Sequence, residues 1–241
     1  RAPIRLARPC LAIAAASGER NGHALLLAVM PGIVEAYDVS NASEPRRAGA
    51  WRAQNVRGAV EFAGRAILWS ANEIWPSDSG PATPEPFSRC DAAEIQGVAV
   101  VQDRLFVARG DELVEYDRNL CERSRARCRA LQLASAGGGY LAVREEAGVR
   151  FVDIERGSPE EGRLVPVCGV QHIEAPAVPF RHAIYVRGPQ GGFLMDPSGE
   201  YLAEYPGRAW FEGIVRVGKL LAIRDEHVIR LLEATASVQS E

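Results

Sequence analysis

Four arginines stand at the ends of short apolar runs along the chain. The runs are RLFVAR, YLAVR, AIYVR and LLAIR, which end at Arg109, Arg144, Arg187 and Arg224. Arginine presents a planar, permanently charged group whose N–H donors match the oxygens of a carboxylate or a phosphate. Four such groups at the same end of neighbouring strands would bind a small anionic ligand or an acidic loop of a protein partner.

The same arginines also have a structural interpretation. Two predicted first strands begin with Glu174 and Glu212, in the repeats that carry Arg187 and Arg224. Each glutamate would then neutralise the arginine of its own repeat. The repeats of the other two arginines begin with uncharged residues such as Gln96, so those two arginines have less obvious partners.

A histidine, a tryptophan and two glutamates form a second candidate group. His172 and Trp210 each precede a predicted first strand by two residues, and Glu174 and Glu212 begin those strands. A histidine beside a carboxylate can transfer protons, and an exposed indole often anchors a sugar or a partner protein. Packing against the sheet is the alternative role for the histidine and the indole. The full set of candidate binding residues is Arg57, Gln96, Arg109, Arg144, His172, Glu174, Arg187, Trp210, Glu212 and Arg224.

Patterns that would indicate a metal, a cofactor or a catalytic nucleophile do not occur in the sequence. The four histidines have no paired spacing, and the cysteines form no C-x-x-C. No loop has the acidic spacing of a calcium site, and G-x-S-x-G does not occur. We therefore predict no metal, no cofactor and no catalytic residue.

The charge and the apolar runs limit the kinds of partner. A formal net charge of −3 provides no positive field that would attract nucleic acid. The longest apolar runs, such as ALLLAV, fall far short of the ~20 residues that a membrane-spanning helix needs. We therefore predict no nucleic-acid partner and no transmembrane segment.

Two of the five cysteines, Cys121 and Cys128, flank a predicted hairpin connection in CERSRARC. A disulfide across that connection would indicate an oxidising compartment. The alternative is that all five cysteines are small buried side chains in a reducing cytosol.

The elements that must position these residues recur along the chain. Polar residues that precede an apolar strand stand at 57, 96, 135, 174 and 212, which are 39, 39, 39 and 38 residues apart. Position 8 fills the same role earlier. Each unit of about 40 residues contains four predicted strands, separated by turns rich in Gly and Pro. Four strands in a repeating unit of this length are typical of a β-propeller blade.

We therefore predict an all-β, six-bladed β-propeller that forms a single domain over 1–241. Its four-stranded blades start near 8, 57, 96, 135, 174 and 212. The segment 1–7 supplies a strand that completes the last blade and closes the ring, and 235–241 forms a tail. In such a ring the candidate residues would surround the mouth of the central channel.

The first repeat resembles a known family. The stretch LLLAVMPGIVEAYDVSNASEPRRAGAW, Leu25 to Trp51, contains a strand, a turn, a strand that ends at Asp38, and a link with Asn41 and Pro45. This arrangement is similar to the bacterial LVIVD repeat, and the later units keep only its acidic residue. The resemblance implies a bacterial propeller that is exported to the periplasm, the cell surface or the medium. Members mostly lack a known activity, and a cytoplasmic location stays open.

We expect a non-enzymatic binding or scaffold module that holds a protein partner or a small anionic ligand at the channel mouth. One alternative is a lactonase-like propeller hydrolase or lyase that acts in the central channel. Such an enzyme would need converging carboxylates or a histidine-led acid–base set. Another alternative is a carbohydrate-binding propeller that uses Trp210 and Trp51, although the tryptophan positions do not repeat between units.

Overall fold

A computed structural model describes residues 3–17, 24–53, 55–77, 88–89, 93–136, 139–156, 162–174, 183–189, 191–205, 214–217, 220–225 and 227–233. All regular secondary structure in these residues is β-strand. The prediction of an all-β chain is therefore confirmed. No helix in this part of the chain is long and apolar enough to cross a membrane.

The strands are short, and most have four to seven residues. In chain order they are β1 (Ile4–Arg5), β2 (Ala12–Ser17), β3 (Ala24–Met30), β4 (Ile33–Asp38), β5 (Arg46–Arg52), β6 (Gly58–Phe62), β7 (Arg65–Trp69), β8 (Glu73–Ser77), β9 (Ser88–Arg89), β10 (Ile95–Val101), β11 (Arg104–Arg109), β12 (Glu112–Tyr116), β13 (Glu122–Arg127), β14 (Gln132–Ser135), β15 (Tyr140–Glu145), β16 (Gly148–Asp153), β17 (Arg163–Pro166), β18 (His172–Glu174), β19 (Ile184–Gly188), β20 (Gly191–Met195), β21 (Tyr201–Tyr205), β22 (Ile214–Val217), β23 (Leu220–Asp225) and β24 (Val228–Glu233).

Within the described residues these strands form six four-stranded sheets. Five sheets follow the chain, in the orders β2-β3-β4-β5, β6-β7-β8-β9, β10-β11-β12-β13, β14-β15-β16-β17 and β18-β19-β20-β21. Neighbouring strands run antiparallel, as in the three pairings between β10 and β13. Short connections between sequential strands produce this simple order.

The sixth sheet combines the two ends of the chain, in the order β22-β23-β24-β1. Ile4 lies opposite Ile229, and Arg5 lies opposite Val228. The backbone N–H of Leu6 extends the pairing by donating to the carbonyl of His227 at 2.8 Å. The N-terminal strand is thereby the outer strand of the last sheet.

The chain divides into two compact units, and each has its own apolar core. The first unit comprises residues 1–66, 77–84 and 210–241, and the second comprises 67–76 and 85–209. In the first unit Leu26 of β3 belongs to a buried cluster that also contains Ile229 of β24. In the second unit Phe106 of β11 and Val143 of β15 belong to one cluster. Burial of one such side chain stabilises the fold by about 1.5–3 kcal/mol.

The second strands are buried on consecutive residues. The range 26–30 of β3 and the range 105–108 of β11 contain only buried side chains. Because successive side chains of a strand point to opposite faces, both faces of these strands are covered. The unbroken apolar runs in the sequence follow from this position inside the fold.

The third strand of four sheets ends at or next to an aspartate that organises the following turn. These aspartates are Asp38, Asp117, Asp153 and Asp196. Their Oδ1 atoms accept backbone N–H groups from Ser40 at 2.9 Å, Asn119 at 2.8 Å, Glu155 at 3.0 Å and Glu200 at 2.8 Å. An aspartate that bonds the backbone a few residues later stabilises a tight turn. The acidic residue that recurs in the sequence repeats therefore has a structural role.

The proposed disulfide between Cys121 and Cys128 is not formed, because both thiols are free. The two cysteines flank β13 and do not flank a hairpin connection as the sequence analysis assumed. Seven residues of extended strand separate their Cα atoms by about 20 Å, whereas a disulfide needs about 4.4–6.8 Å. Cys121 is exposed and Cys128 is buried, and burial raises the pKa of the Cys128 thiol to about 11.

Two first strands start within one residue of the predicted positions, β6 directly after Arg57 and β10 directly before Gln96, whereas others start several residues away. The first strands of the six sheets begin at Ala12, Gly58, Ile95, Gln132, His172 and Ile214. Ser135 and Glu174 are the last residues of β14 and β18. The difference arises because Gln132 and His172 are polar residues inside strands, where the sequence analysis expected the preceding turn.

Candidate functional site

In the three complete sheets of the second unit, an arginine of the second strand faces the start of the first strand. The opposed pairs are Ile95 with Arg109, Gln132 with Arg144, and His172 with Arg187. The three arginines therefore occupy equivalent positions at the same end of their sheets. Directly opposed side chains share a face of the sheet, so each arginine can interact with the side chain at the start of the first strand.

Gln132 links the first strands of two neighbouring sheets. Its Nε2 donates to the carbonyl of Ile173 at 2.8 Å, and its Oε1 accepts the N–H of Ile173 at 3.0 Å. The same Nε2 lies 2.9 Å from Nδ1 of His172. A carboxamide nitrogen has two hydrogens, so it can serve both acceptors and leave the imidazole proton on Nε2. The sequence analysis missed Gln132, and the signal for it was a glutamine inside the apolar run LQLA.

Arg144 reaches the backbone of the next sheet. Its Nη1 donates to the carbonyl of Val170, two residues before β18, at 3.1 Å. Its Nε is buried and has no hydrogen-bond partner in the part of the chain that the structure describes. Burial also lowers the pKa of this guanidinium. Arg144 therefore combines a structural hydrogen bond with a buried donor that is not satisfied.

Arg224 makes the corresponding contact in the first unit. Its Nη1 donates to the carbonyls of Cys10 and Leu11, just before β2, the latter at 2.7 Å. Arg224 and Arg144 thus both connect a second strand to the segment before the following first strand. Their partners in these contacts are backbone carbonyls, whereas the sequence suggested a glutamate for Arg224 and no obvious partner for Arg144.

The other candidate arginines differ in exposure, and the side chain of Arg109 is 14% exposed. Arg109 lies across a hairpin from Glu112, with 3.5 Å between its Nε and the carboxylate Oε2. The sequence analysis overlooked this acidic partner because it considered only the residue that begins the first strand. Arg187 and Arg57 are exposed, and Arg57 directly precedes β6.

Gln96 lies in a β-bulge between Ile95 and Gly97 of β10. Its Oε1 is buried and lacks a hydrogen-bond donor among the described residues. The neighbouring β14 approaches closely, because a Cβ at Gly97 would lie 2.9 Å from the backbone nitrogen of Leu133. Bulges of this kind redirect a side chain and occur frequently next to binding sites.

We name the residues Gln96, Gln132, Arg144 and His172 the first-strand cluster. They lie on β10, β14, β15 and β18, which belong to three successive sheets of the second unit. The cluster contains one buried acceptor and one buried donor without partners, at Gln96 and Arg144. Each such atom costs about 1–3 kcal/mol when it stays unsatisfied. Buried polar atoms without partners occur mainly at functional or strained positions of a fold.

The remaining candidates contribute less to a site. Glu174 is opposite Tyr185 in the pairing of β18 with β19. Trp210 and Glu212 lie outside the described residues. Trp51 is 8% exposed, so its ring is not available as a sugar platform. Within the described ranges, no three His, Cys, Asp or Glu side chains lie together in a metal-binding arrangement.

Sequence comparisons find no relative. No protein-family model matches the chain, and no curated protein sequence matches it significantly. Solved structures do match. Raptor of Chaetomium thermophilum superposes with a TM-score of 0.59 at 15% identity, over 89% of this chain and 22% of the Raptor chain. The chain therefore spans about a fifth of that protein.

Two further structures match nearly the whole chain. BamB of Moraxella catarrhalis superposes with a TM-score of 0.55 at 11% identity, over 100% of this chain and 98% of BamB. The Pan2 WD40 domain of Neurospora crassa has a TM-score of 0.51 and 12% identity, with coverages of 97% and 91%. Together with the four-stranded antiparallel sheets, these similarities establish that the chain has a β-propeller fold.

Proposed function

We propose that this chain is a non-enzymatic β-propeller binding module whose ligand or protein partner binds at the first-strand cluster. The observation that carries the proposal is that two buried polar atoms, Gln96 Oε1 and Arg144 Nε, have no hydrogen-bond partner within the described residues. A bound group that offers an acceptor to the arginine and a donor to the glutamine would remove both penalties. Binding energy is then available from groups that cost stability in the unbound protein.

The charge of the cluster favours an acidic ligand. Arg144 is partly buried, and burial lowers the pKa of its guanidinium, which means that the positive charge is poorly solvated. A carboxylate or phosphate nearby would stabilise that charge. Arg109 and Arg187 occupy the equivalent positions in the two adjacent sheets. The site therefore suits a small anion or an acidic loop of a partner protein.

We further propose that the six sheets are the blades of one six-bladed propeller. In this arrangement β1 closes the ring by completing the last blade. The pairing of β1 with β24 supports closure, because it joins the start of the chain to the last sheet. It also covers part of an edge that would otherwise invite pairing with other chains.

The first sheet supports an LVIVD-type repeat. In the motif, Oδ1 of Asp38 accepts the N–H of Ser40 at 2.9 Å, and Oγ of Ser40 accepts the N–H of Ala24 at 3.0 Å. Oδ1 of Asn41 accepts the N–H of Ser43 at 3.1 Å. The residues that carry the resemblance are thus the ones that build the turn after β4.

The experiment compares binding by the wild type and by Gln96→Met, which keeps the side-chain length and removes the buried acceptor. The matched control is Gln102→Met, the same change at the other end of β10 in an exposed glutamine. Binding is measured by thermal shift with acetate, succinate, citrate and phosphate, and by capture of proteins from cell extract. We expect Gln96→Met to lose binding while its stability is unchanged or higher.

Two results would contradict this proposal. In one, Gln96→Met and the wild type bind the same anion or partner equally well. In the other, no anion shifts the unfolding temperature of the wild type and no partner is captured. A loss of binding in Gln102→Met as large as that in Gln96→Met would also place the binding site elsewhere.

A further inference from the structure

A cleft beside the pairing of β1 with β24 combines basic and apolar side chains, and we name it the β1–β24 cleft. It has a volume of about 930 Å³ and lies within the first compact unit. Its basic residues are Arg5, His227 and Arg230, and none of the described residues that line it is acidic. Sites for small molecules typically have volumes of about 300–1,000 Å³, so the cleft can hold one.

The strand register places the two arginines on one face of the sheet. Arg5 lies opposite Val228 in the antiparallel pairing, and Arg230 follows Val228 by two residues. Alternate residues of a strand share a face, so Arg230 is the diagonal neighbour of Arg5. Diagonal neighbours lie about 7–8 Å apart, so both guanidinium groups can donate to the oxygens of one carboxylate.

The two strands that carry the arginines are held together by apolar packing and by a backbone hydrogen bond. Ile4 lies opposite Ile229, and both side chains belong to the buried apolar cluster of the first unit. The backbone N–H of Leu6 donates to the carbonyl of His227 at 2.8 Å. A site whose backbone is already ordered loses less entropy when a ligand binds.

Leucine side chains form much of the apolar part of the cleft. Leu6 and Leu231 belong to the buried cluster, whereas Leu232 of β24 is 48% exposed. Leu232 lies two residues beyond Arg230 and therefore on the same face of the strand. A ligand that covers Leu232 would remove apolar surface from water, which favours binding.

Protection of the sheet edge is an alternative role for the arginines. Charged residues on an outer strand normally prevent association with other chains. Such a role accounts for Arg5 and Arg230 but leaves Leu232 unexplained, because an exposed apolar side chain beside them favours association. An apolar surface next to two cations instead complements a ligand that has an anionic head and an apolar body.

We propose that the β1–β24 cleft binds a small amphipathic carboxylate, of the chemical class of medium-chain fatty acids. The carboxylate accepts hydrogen bonds from Arg5 and Arg230, and the alkyl chain covers Leu232. Arg230 also interacts elsewhere in the protein, so Arg5 is the arginine to substitute. The cleft and the first-strand cluster belong to different compact units, and this proposal does not depend on the function proposed for the cluster.

The probe is octanoate, and binding is measured by isothermal titration calorimetry. We expect the wild type to bind octanoate, and to bind acetate at least about fiftyfold more weakly, because each buried CH₂ group contributes a factor of about four. Arg5→Gln should weaken octanoate binding about fivefold, since an exposed ion pair is lost. The matched control is Arg46→Gln, an exposed arginine on the outer strand β5, which should bind like the wild type.

Two further measurements separate the contribution of the head group from that of the alkyl chain. Octanol, which has the same chain without the charge, should bind at least about fivefold more weakly than octanoate. Leu232→Ser should weaken octanoate binding about fivefold, because apolar contact is lost. Absence of octanoate binding by the wild type would overturn the proposal, as would equal binding of octanoate and octanol. Unchanged binding by either cleft variant, or an equal loss in Arg46→Gln, would do the same.

Discussion

Arg144 illustrates how one side chain can serve structure and binding at once. Its Nη1 holds the carbonyl of Val170, while its Nε remains buried without a partner among the described residues. Two residues of the sequence-derived set, Arg144 and Arg224, make the same kind of contact to a backbone carbonyl. These two arginines therefore make structural contacts to backbone carbonyls, which differ from the glutamate pairs that the sequence suggested for Arg187 and Arg224. Gln96 contributes no described hydrogen bond through Oε1, so its burial costs stability.

At this scale we predict that Arg144→Met destabilises the protein by about 1 kcal/mol, because the loss of a charged donor to the Val170 carbonyl outweighs the relief from removing the unsatisfied Nε. The measurement is the free energy of unfolding from urea denaturation. The matched control is Arg187→Met, at the equivalent position of the next sheet but exposed, where we expect a change within about 0.5 kcal/mol. Equal losses in the two variants would contradict the role given to the Val170 contact.

At the scale of the elements, the recurring aspartate turn sets the geometry between the third and fourth strands. Oδ1 of Asp196 accepts the hydroxyl of Ser198 at 2.6 Å and the N–H of Glu200 at 2.8 Å. Burial alone would raise the pKa of Asp196, but the hydrogen bonds from Ser198, Glu200 and Gly199 outweigh it and lower the pKa. The charged carboxylate therefore stabilises the folded state above its ordinary pKa, and this stabilisation is lost as the pH falls through the lowered folded-state pKa.

We predict that Asp196→Ala lowers the free energy of unfolding by about 1 kcal/mol at pH 7, a value typical of a lost side-chain cap. The difference from the wild type should shrink as the pH falls below about 4, where the carboxyl of the unfolded chain protonates while the folded protein still holds it charged. Urea denaturation at pH 7 and at pH 3 measures both quantities. Glu200→Ala, an exposed carboxylate in the same turn, is the control and should change little. A difference at pH 3 as large as at pH 7 would refute the ionic role of this turn.

The sequence predicted the elements better than it predicted the site. Unbroken apolar runs such as ALLLAVM and RLFVAR identified the second strands, since these are covered on both faces. Strands that contain polar residues could not be identified from apolar runs in this way. Gln132 of β14 and His172 of β18 are hydrogen-bonded to each other and lie 40 residues apart in the chain. The order of polar and apolar residues within one strand does not predict so distant a partner. The β-bulge at Gln96 likewise depends on the pairing of β10 with β11.

At the scale of the whole molecule, the chain has a β-propeller fold, and we propose that binding occurs at the first-strand cluster. The repeated sheets are consistent with such a site, because the equivalent ends of strands in successive sheets carry similar residues. Fold alone does not determine function, so the assignment rests on the unsatisfied atoms of Gln96 and Arg144.

Hydrogen–deuterium exchange is the most direct test of where binding occurs. Amide exchange is compared without and with the anion or captured partner that stabilises the wild type. The account predicts slower exchange at residues 95–97, 131–133 and 171–173, where the first strands of three sheets begin. Protection confined to other parts of the chain, or no protection at these residues, would contradict the claim that the first-strand cluster is the binding site.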